Sequence, residues 1–400
     1  MTAPRGAEAF ARFIVVGGAY AMGVQSGGLA SASQSVSWPA LVAADAQATA
    51  RQPLFRSPGC SPPLVAPLVL GRWLSGASTA AADTSCAGTT TAAAPPGGNL
   101  AIAGATAWDA LWLTPKAVAA APTKYAIADR QRYPVVLANT QSQVTAMLVQ
   151  VPTFVAVELG LGEVIRAAVS GRVVTAESYD SPTDWTLAPA ALFVAEFDAI
   201  ADSLTKSGAK VVVLSVPHVT RFPAFRPASA IWAAQAALGG FGVLVAGDCA
   251  TSTNVLHVAA IVPRLVQLAL TAGVPQTLSC ADVPGADDKI LNASDLATIE
   301  TAVDQINARL AQIAGEREWA FVDLEAVFAA MIAAAGDYSA QAQQTCVSPY
   351  GAFLSLDGIH PSAAGHRRVA DAVNLAVNSK YGLALPIAGD PLDIRIVTCS

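Results

Sequence analysis

Charged residues are scarce in this 400-residue chain: they make up 13% of it, whereas hydrophobic residues make up 53%. A chain this apolar can bury a large core, which excludes global disorder. The net charge is −6 and no cluster of Lys and Arg is present, so nucleic acid is not an expected partner. The length suits one large domain with insertions, or two domains of ordinary size.

Long hydrophobic runs are also missing. Gly, Pro or polar residues interrupt each alanine-rich stretch before it reaches the roughly 18 residues that span a bilayer, so no transmembrane segment is predicted. The N-terminus has no apolar stretch followed by a small-residue cleavage site, so no signal peptide is predicted. If the protein is exported, we expect this sequence to begin at the mature end, behind an added Met. There is no Cys-x-x-Cys and no pair of histidines at metal-ligand spacing, and we expect neither a metal nor an organic cofactor.

Six cysteines are spread along the chain, at Cys60, Cys86, Cys249, Cys280, Cys346 and Cys399. An even and widely spaced set suits three disulfides in an oxidising compartment, which predicts a secreted or periplasmic protein. Several connectivities are open to six cysteines. We predict nearest-neighbour pairing (Cys60–Cys86, Cys249–Cys280, Cys346–Cys399), because each bond would then staple one loop. The alternative is a cytosolic protein with six buried thiols.

Short apolar runs that end in glycine or proline alternate with helical patterns. Strands are predicted at 12–17, 100–104, 153–160, 210–216 and 319–324, and helices at 141–150, 190–206, 294–314 and 362–379. The strands are continuous apolar runs, which is typical of a parallel sheet covered on both faces. The sequence therefore predicts an α/β fold: a doubly wound parallel sheet of about five strands, flanked by helices.

Two long stretches, about 55–99 and 222–290, do not follow this alternation. We predict a single domain over residues 1–400 that is interrupted by these two insertions, which are the places where substrate selectivity could reside. In a doubly wound sheet the site lies outside the carboxyl ends of the strands. The strand-end glycines Gly17, Gly104 and Gly160 are therefore expected to point into one site.

The sharpest motif runs from Leu356 to His366 and reads L-D-G-I-H-P-S-A-A-G-H. Asp357 precedes His360 by three residues, in a loop before a predicted helix. The carboxylate can accept the Nδ1–H of the imidazole and leave Nε2 free to act as a base. The alternative is a loop Asp and a helix-capping His without chemistry, since short motifs produce many false matches.

This motif resembles the last signature block of the SGNH/GDSL hydrolases, a family of ester hydrolases. Three blocks that precede this motif in the chain occur in the family's order. They are V-G-G-A-Y-A-M-G at 16–23, A-G-A-T at 103–106 and L-G-L-G-E at 159–163. The resemblance extends from about residue 12 to 370 and leaves out both insertions. It implies cleavage of a carboxylic ester through a Ser-His-Asp acyl-enzyme mechanism, with a small-molecule or polymeric ester as the substrate.

The resemblance also implies roles for single residues. His360 would be the base and Asp357 its orienting carboxylate, while the nucleophile position is Ala19, where the family has serine. The oxyanion would be held by the backbone N–H of residue 19, the N–H of Gly104 and a side-chain amide at position 162. That position carries Gly162 where the family has Asn. Since alanine cannot attack a carbonyl, we expect the chain to be nearly inactive.

Three further residues could line the site. Gly18 precedes the nucleophile position, Glu163 stands where the family has an acidic residue, and His218 follows the fourth predicted strand. The alternative for Glu163 is a carboxylate held by hydrogen bonds, and that for His218 is a plain loop residue.

Some other residues have weaker signals. Ser26, the nearest alternative nucleophile, is more consistent with a turn hydroxyl, because a nucleophile must lie within hydrogen-bond reach of its base. Trp38, Trp108 and Trp112 could line an acyl or sugar pocket, although aromatic residues more often pack in the core.

Three functions remain open at this point. The first, which we prefer, is an ester hydrolase in a form inactivated at Ala19, and the intact Asp357–His360 pair favours it. The second is a natural pseudoenzyme that binds an ester, lipid or glycan extracellularly, which the loss of both the serine and the asparagine favours. The third is a structural or adhesive protein with a vestigial site. The sequence does not indicate an oligomeric state.

Overall fold

The computed structural model of the protein describes residues 6–49, 51–89, 97–180 and 184–388. The strands in these ranges are β1 (Phe13–Gly17), β2 (Phe154–Glu158), β3 (Lys210–Leu214), β4 (Phe225–Pro227), β5 (Val243–Val245), β6 (Val255–His257), β7 (Gln276–Leu278), β8 (Ile290–Leu291) and β9 (Ala320–Val322).

The helices of the first half of the chain are α1 (Ala19–Met22), α2 (Ser31–Gln34), α3 (Trp38–Asp45), α4 (Ala107–Trp112), α5 (Pro115–Ala120), α6 (Ile127–Val136), α7 (Gln143–Val149), α8 (Leu161–Ser170) and α9 (Ala190–Ser207). Those of the second half are α10 (Ala228–Ala233), α11 (Gln235–Gly240), α12 (Val258–Ala272), α13 (Ala293–Glu316), α14 (Leu324–Ala333), α15 (Ala340–Thr345) and α16 (Ala363–Tyr381). Short 3-10 turns lie at Ala7–Phe10, Leu68–Leu70, Val219–Arg221 and Gly247–Ala250. None of the helices in the described ranges combines the length and the apolar character that crossing a membrane would take.

A parallel sheet with the strand order β1-β2-β3-β9 forms the centre of the fold. Every residue of β1 and β2 is buried, which requires cover on both faces of the sheet. Helix α16 packs against α3 and α14, and helix α9 packs against α4, α7 and α13. The structure confirms the predicted α/β class with its parallel, helix-flanked sheet.

Residues 100–104 differ from the prediction. They continue the sheet beside β1, since the N–H of Leu100 donates to the carbonyl of Val15 (2.8 Å) and that of Ile102 donates to the carbonyl of Gly17 (3.0 Å). Only an isolated bridge, between Val15 and Asn99, is regular enough to count as β-structure. The chain then leaves the sheet at Gly104, which has a φ of +83°. The sheet therefore has four regular strands and a fifth, irregular edge.

Residues 222–290 build a small second core. Two sheets form there, an antiparallel one of order β4-β6-β8 and a parallel pair, β5 and β7. Buried side chains from α10, α12 and these strands pack into a cluster of their own, which includes both Cys249 and Cys280. In contrast, residues 55–89 contain isolated bridges and one short 3-10 turn.

Two of the predicted disulfides are present, Cys60–Cys86 and Cys249–Cys280. Each closes a loop within one of the two long insertions, as nearest-neighbour pairing predicts. Cys399 lies outside the described residues, and the predicted bond between Cys346 and Cys399 lies there with it.

Candidate active site

The predicted signature blocks meet at the carboxyl edge of the central sheet. β1 ends at Gly17 and leads directly into α1, while α8 begins three residues after β2 ends. A Cβ atom placed on Gly18 would lie 3.9 Å from the carbonyl oxygen of Ala105, and one on Gly162 would lie 2.3 Å from the same atom. The first three blocks are therefore in direct contact, where a doubly wound sheet places its ligands.

Asp357 and His360 form the pair that the motif predicts. The Nδ1 atom of His360 lies 2.8 Å from Oδ2 of Asp357. Oδ1 of the same carboxylate accepts the backbone N–H groups of Ile359 (3.0 Å) and His360 (2.9 Å), as well as the hydroxyl of Ser355 (3.1 Å). The N–H of Gly27 also donates to Oδ2. The carboxylate is thus fixed from several sides and can hold the imidazole in one tautomer.

The carboxyl group of Asp357 stays ionised despite its burial. Burial alone would raise its pKa, but the charge of His360 and the hydrogen bonds from His360 and Ile359 outweigh that effect and lower the pKa to about 2. An ionised Asp357 stabilises an imidazolium at His360, which is what a general base needs once it has taken up a proton.

His360 lies against the residue that follows Ala19. Its ring packs edge-on against Tyr20, with the ring centres 5.6 Å apart and an angle of 79° between the planes. Tyr20 is itself buried against Phe328. Ala19, which is partly buried, begins the short helix α1. The imidazole of His360 therefore packs against the turn that begins at Ala19, where the side chain is only a methyl group.

Glu158 supports the turn that carries residue 19, and sequence reasoning missed it. Its Oε2 accepts the N–H of Ala21 (2.8 Å), and its backbone carbonyl accepts the N–H of Gly18 (3.1 Å). Burial raises the pKa of Glu158 to about 8, against the opposing effect of hydrogen bonds from Ala21 and Gly18. The sequence signal that could have identified Glu158 is a single acidic residue inside the apolar run of β2. Burying an unpaired charge there is unfavourable in free energy.

Two backbone N–H groups at the carboxyl edge of the sheet have no hydrogen-bond acceptor among the described residues. The N–H groups of Ala19 and Gly104 donate no hydrogen bond to any other described residue. Gly104 is exposed, and no atom lies within 4 Å of the place where its Cβ would be. Free N–H groups of this kind are the donors that stabilise a tetrahedral oxyanion.

Gly162 does not fit the expectation of an asparagine at its position. A Cβ atom there would lie 2.3 Å from the carbonyl oxygen and 2.7 Å from the carbonyl carbon of Ala105. Both are backbone atoms, so a rotation of a side chain cannot relieve the clash. The packing of α8 against the loop at 104–106 depends on the absence of a side chain at this position.

Glu163 and His218 both hold the scaffold by hydrogen bonds. Oε1 of Glu163 accepts the N–H of Ala107 (2.6 Å) and the hydroxyl of Tyr179 (3.0 Å), while burial raises the pKa of this carboxyl to about 7. His218 is buried between α13 and α14: its Nε2 lies 3.1 Å from Oδ1 of Asp304, and its backbone N–H donates to Oε2 of Glu325. None of its hydrogen bonds to described residues reaches the Asp357–His360 pair.

Ser26 and His366 also have structural environments. Ser26 braces the Asp357 loop, since its hydroxyl accepts the N–H of Leu356 (3.3 Å) and its own N–H donates to Ser355 (2.8 Å). His366 is fully buried in α16, and burial lowers its pKa to about 3. No group of three or more His, Cys, Asp or Glu in the described ranges could hold a metal ion.

The three tryptophans singled out in the sequence have different environments. Trp38 is fully buried in the core. Trp112 is exposed and donates its indole N–H to Glu196 (2.8 Å). Trp108 lines a pocket of about 790 Å³, together with Gly104 and Gly162. A pocket of this size lies in the range of small-molecule sites.

Comparison with known proteins gives little beyond this. No family model matches the chain, and neither does any curated protein. Among solved structures, an extracellular lipase from Streptomyces rimosus is similar with a TM-score of 0.36 and 15% identity over 91% of this chain and 98% of that one. An acetylxylan esterase from Geobacillus stearothermophilus is similar with a TM-score of 0.30 and 14% identity over 69% of each chain. Similarity at this level carries no conclusion, and the chemistry of the site has to be inferred from its own geometry.

Proposed function

We propose that this chain has the architecture of an SGNH/GDSL-type carboxylic-ester hydrolase and that Ala19 leaves it without a nucleophile. The observation that carries the proposal is the 2.8 Å contact between His360 Nδ1 and Asp357 Oδ2, in a pair packed against the turn that begins at residue 19. A base, its orienting carboxylate and free backbone donors are what acyl transfer requires around a nucleophile.

With a serine at position 19, the reaction would proceed through an acyl-enzyme. Nε2 of His360 would take the hydroxyl proton while the oxygen attacks the ester carbonyl. The N–H groups of residue 19 and Gly104 would stabilise the oxyanion, and the imidazolium would return its proton to the leaving alcohol. A water molecule, deprotonated by the same imidazole, would then attack the acyl group, and the imidazolium would return that proton to the serine oxygen as the acid is released. Asp357 would remain ionised throughout, in keeping with its lowered pKa.

As it stands, the chain lacks the hydroxyl that begins this sequence. In a serine hydrolase the loss of the nucleophile lowers the rate by about a million-fold. The other elements stay in place, because the methyl group of Ala19 fills little space and the backbone donors do not depend on it. Substrate could therefore bind without being cleaved.

A second function, non-catalytic binding of an ester, lipid or glycan, is favoured by Gly162. The backbone of Ala105 occupies the space that a side chain at 162 would need. The packing of the fold thus requires glycine at position 162, where the family has asparagine. At position 19, in contrast, the difference from the family is a single hydroxyl group. A protein that binds without turnover has no need for either group.

We also propose that the protein works in an oxidising compartment, secreted or periplasmic. The two disulfides, Cys60–Cys86 and Cys249–Cys280, support this, because structural disulfides are rare in the cytosol.

The test is hydrolysis of p-nitrophenyl acetate by the parent chain, by Ala19→Ser, and by Ala19→Ser combined with His360→Ala. We expect turnover only in the single variant. If Ala19→Ser is folded and no more active than the parent chain, the hydrolase proposal is wrong and non-catalytic binding becomes the better account. A Gly162→Asn variant is not informative, since it would disturb the fold.

A further inference from the structure

The pocket of about 790 Å³ extends away from the candidate active site on the side of Gly104 and Gly162. Neither Ala19 nor His360 belongs to its lining. It therefore adjoins Gly104, one of the two proposed oxyanion donors, without containing the proposed base, as a pocket for the remainder of a substrate would. Its chemistry can be described from the residues that form its walls.

Aromatic rings make up much of these walls. Trp108 and Tyr179 stack with their ring centres 6.3 Å apart, and Trp185 meets Tyr179 edge-on at 6.0 Å. Tyr125 lines the same pocket. The hydroxyl of Tyr179 is bonded to the buried Glu163, which fixes that ring in place. The pocket thus presents flat, pre-positioned faces with little aliphatic surface.

Charged groups also line the pocket, and carboxylates outnumber cations. Asp109, Asp129, Asp180 and Asp184 line the pocket, whereas the cationic side chains among its described lining residues are Lys124 and Arg166. The excess of negative charge disfavours an anionic ligand. The density of charge also disfavours an acyl chain, because an alkyl group gains little by displacing water from charged walls.

The protein's own cations already lie over the rings. Lys124 lies 5.9 Å from the ring centre of Trp108 and forms an ion pair with Asp180 at 3.1 Å. Arg166 lies 5.3 Å from the ring centre of Trp185 and forms an ion pair with Asp184 at 3.0 Å. A ligand cation would have to compete with both pairs. The combination suits a neutral ligand with a flat apolar face and a polar edge.

We propose that this pocket binds a neutral pyranose unit of an oligosaccharide. The C–H face of the sugar would lie on an aromatic face that Lys124 and Arg166 do not cover, because the negative face of the ring attracts C–H groups, and its hydroxyls would donate to carboxylates of the lining. Placing an O-acyl group of that sugar beside Gly104 and residue 19 rests on the proposed function. Binding of the sugar itself does not, and it holds whether or not the site can turn over.

The experiment is calorimetric titration of the full chain, which cannot consume the ligand, with xylotetraose, cellotetraose and mannotetraose. Tetragalacturonate serves as the anionic comparison and decanoate as the acyl one. We expect at least one neutral tetraose to bind and both comparisons to fail. Trp108→Ala and Trp185→Ala should each weaken binding about tenfold or more, whereas Trp108→Phe should retain most of it.

Trp112→Ala is the matched control, since Trp112 lies on the same helix as Trp108 but is exposed and outside the pocket. The inference is overturned if no neutral tetraose binds to the folded chain, if binding survives both Trp108→Ala and Trp185→Ala unchanged, or if only tetragalacturonate or decanoate binds. If tetraose binding fails while Ala19→Ser hydrolyses p-nitrophenyl acetate, this inference alone is wrong. If the tetraose binds and Ala19→Ser is inert, the proposed function alone is wrong.

Discussion

Glu158 is a carboxyl group buried beneath the turn that presents residue 19. Its Oε2 receives the N–H of Ala21, one of the donors at the start of α1 that has no partner within the helix. A protonated carboxyl performs this task without the cost of burying a charge, which agrees with its raised pKa of about 8. The turn at residue 19 is therefore held by a buried carboxyl group whose pKa is raised above its ordinary value.

This arrangement predicts a loss of stability with rising pH. Because the folded-state pKa of Glu158 is raised above its value in the unfolded chain, its contribution is complete below about pH 4.5 and is lost as the pH rises towards 8. In Glu158→Gln the amide keeps an acceptor for Ala21 and does not titrate. We expect the free energy of unfolding of Glu158→Gln, relative to that of the parent, to be higher at pH 8 than at pH 5. Denaturant unfolding of both proteins at both pH values measures this difference. Parallel pH profiles for the two proteins would contradict the role given to Glu158.

Gly162 provides a second prediction for a single residue. Gly162→Ala places a Cβ atom against the backbone of Ala105, and overpacking of this kind typically costs about 1–3 kcal/mol. Gly239→Ala is the control, because Gly239 lies in α11 with nothing within 4 Å of its Cβ position. There the gain in helix propensity should leave stability unchanged or slightly higher. Thermal unfolding of both variants checks this, and equal melting temperatures would show that the loop at 104–106 can move away.

Among the elements, the strands of the sheet were predictable because they are buried on both faces. A strand with two buried faces is a continuous apolar run, and the sequences at β1, β2, β3 and β9 carry this signal. The segment at 100–104 carries the same signal, yet it forms only an irregular edge, because apolar content does not report how many hydrogen bonds a strand makes. Helix ends were less accurate: α13 begins at Ala293 and ends at Glu316, whereas the prediction was 294–314, and the side chain of Asn292 caps its start.

The site was predictable where its residues are adjacent in sequence. The Asp357–His360 pair lies within four residues, and the structure places the two side chains in contact. The lack of room at Gly162 could not be predicted, because it arises from the approach of a loop some sixty residues away. The same applies to His218, whose partners Asp304 and Glu325 come from distant helices.

The second core at residues 222–290 provides a prediction for an element. Cys249 and Cys280 are both fully buried in its cluster and close a loop 31 residues apart in sequence. Replacing both by alanine removes a constraint on the unfolded chain, and a disulfide of this kind contributes about 2–4 kcal/mol. We expect denaturant unfolding of Cys249→Ala/Cys280→Ala to begin at lower concentration than in the parent. An unchanged midpoint would mean that the apolar cluster alone determines the stability of this region.

On the scale of the whole molecule, the sheet brings together groups that are far apart in the chain. The pocket takes Trp108 from α4, Tyr125 from the segment after α5, and Tyr179 and Trp185 from the segment between α8 and α9. No periodicity in the sequence links these positions, which is why sequence analysis identified only one of them. The pocket includes Gly104, one of the two proposed oxyanion donors, so one loop connects the proposed chemistry with the proposed ligand.

The central claim is that residue 19 occupies the nucleophile position within reach of His360. Diisopropyl fluorophosphate tests it without knowledge of the substrate, since it reacts with a serine that a neighbouring base activates. Intact-mass measurement of Ala19→Ser after exposure to this reagent should show one adduct, located in the peptide that contains position 19. The parent chain and the double variant Ala19→Ser/His360→Ala should show none. If folded Ala19→Ser acquires no adduct, or if the double variant is labelled equally fast, position 19 is not the nucleophile position of this fold.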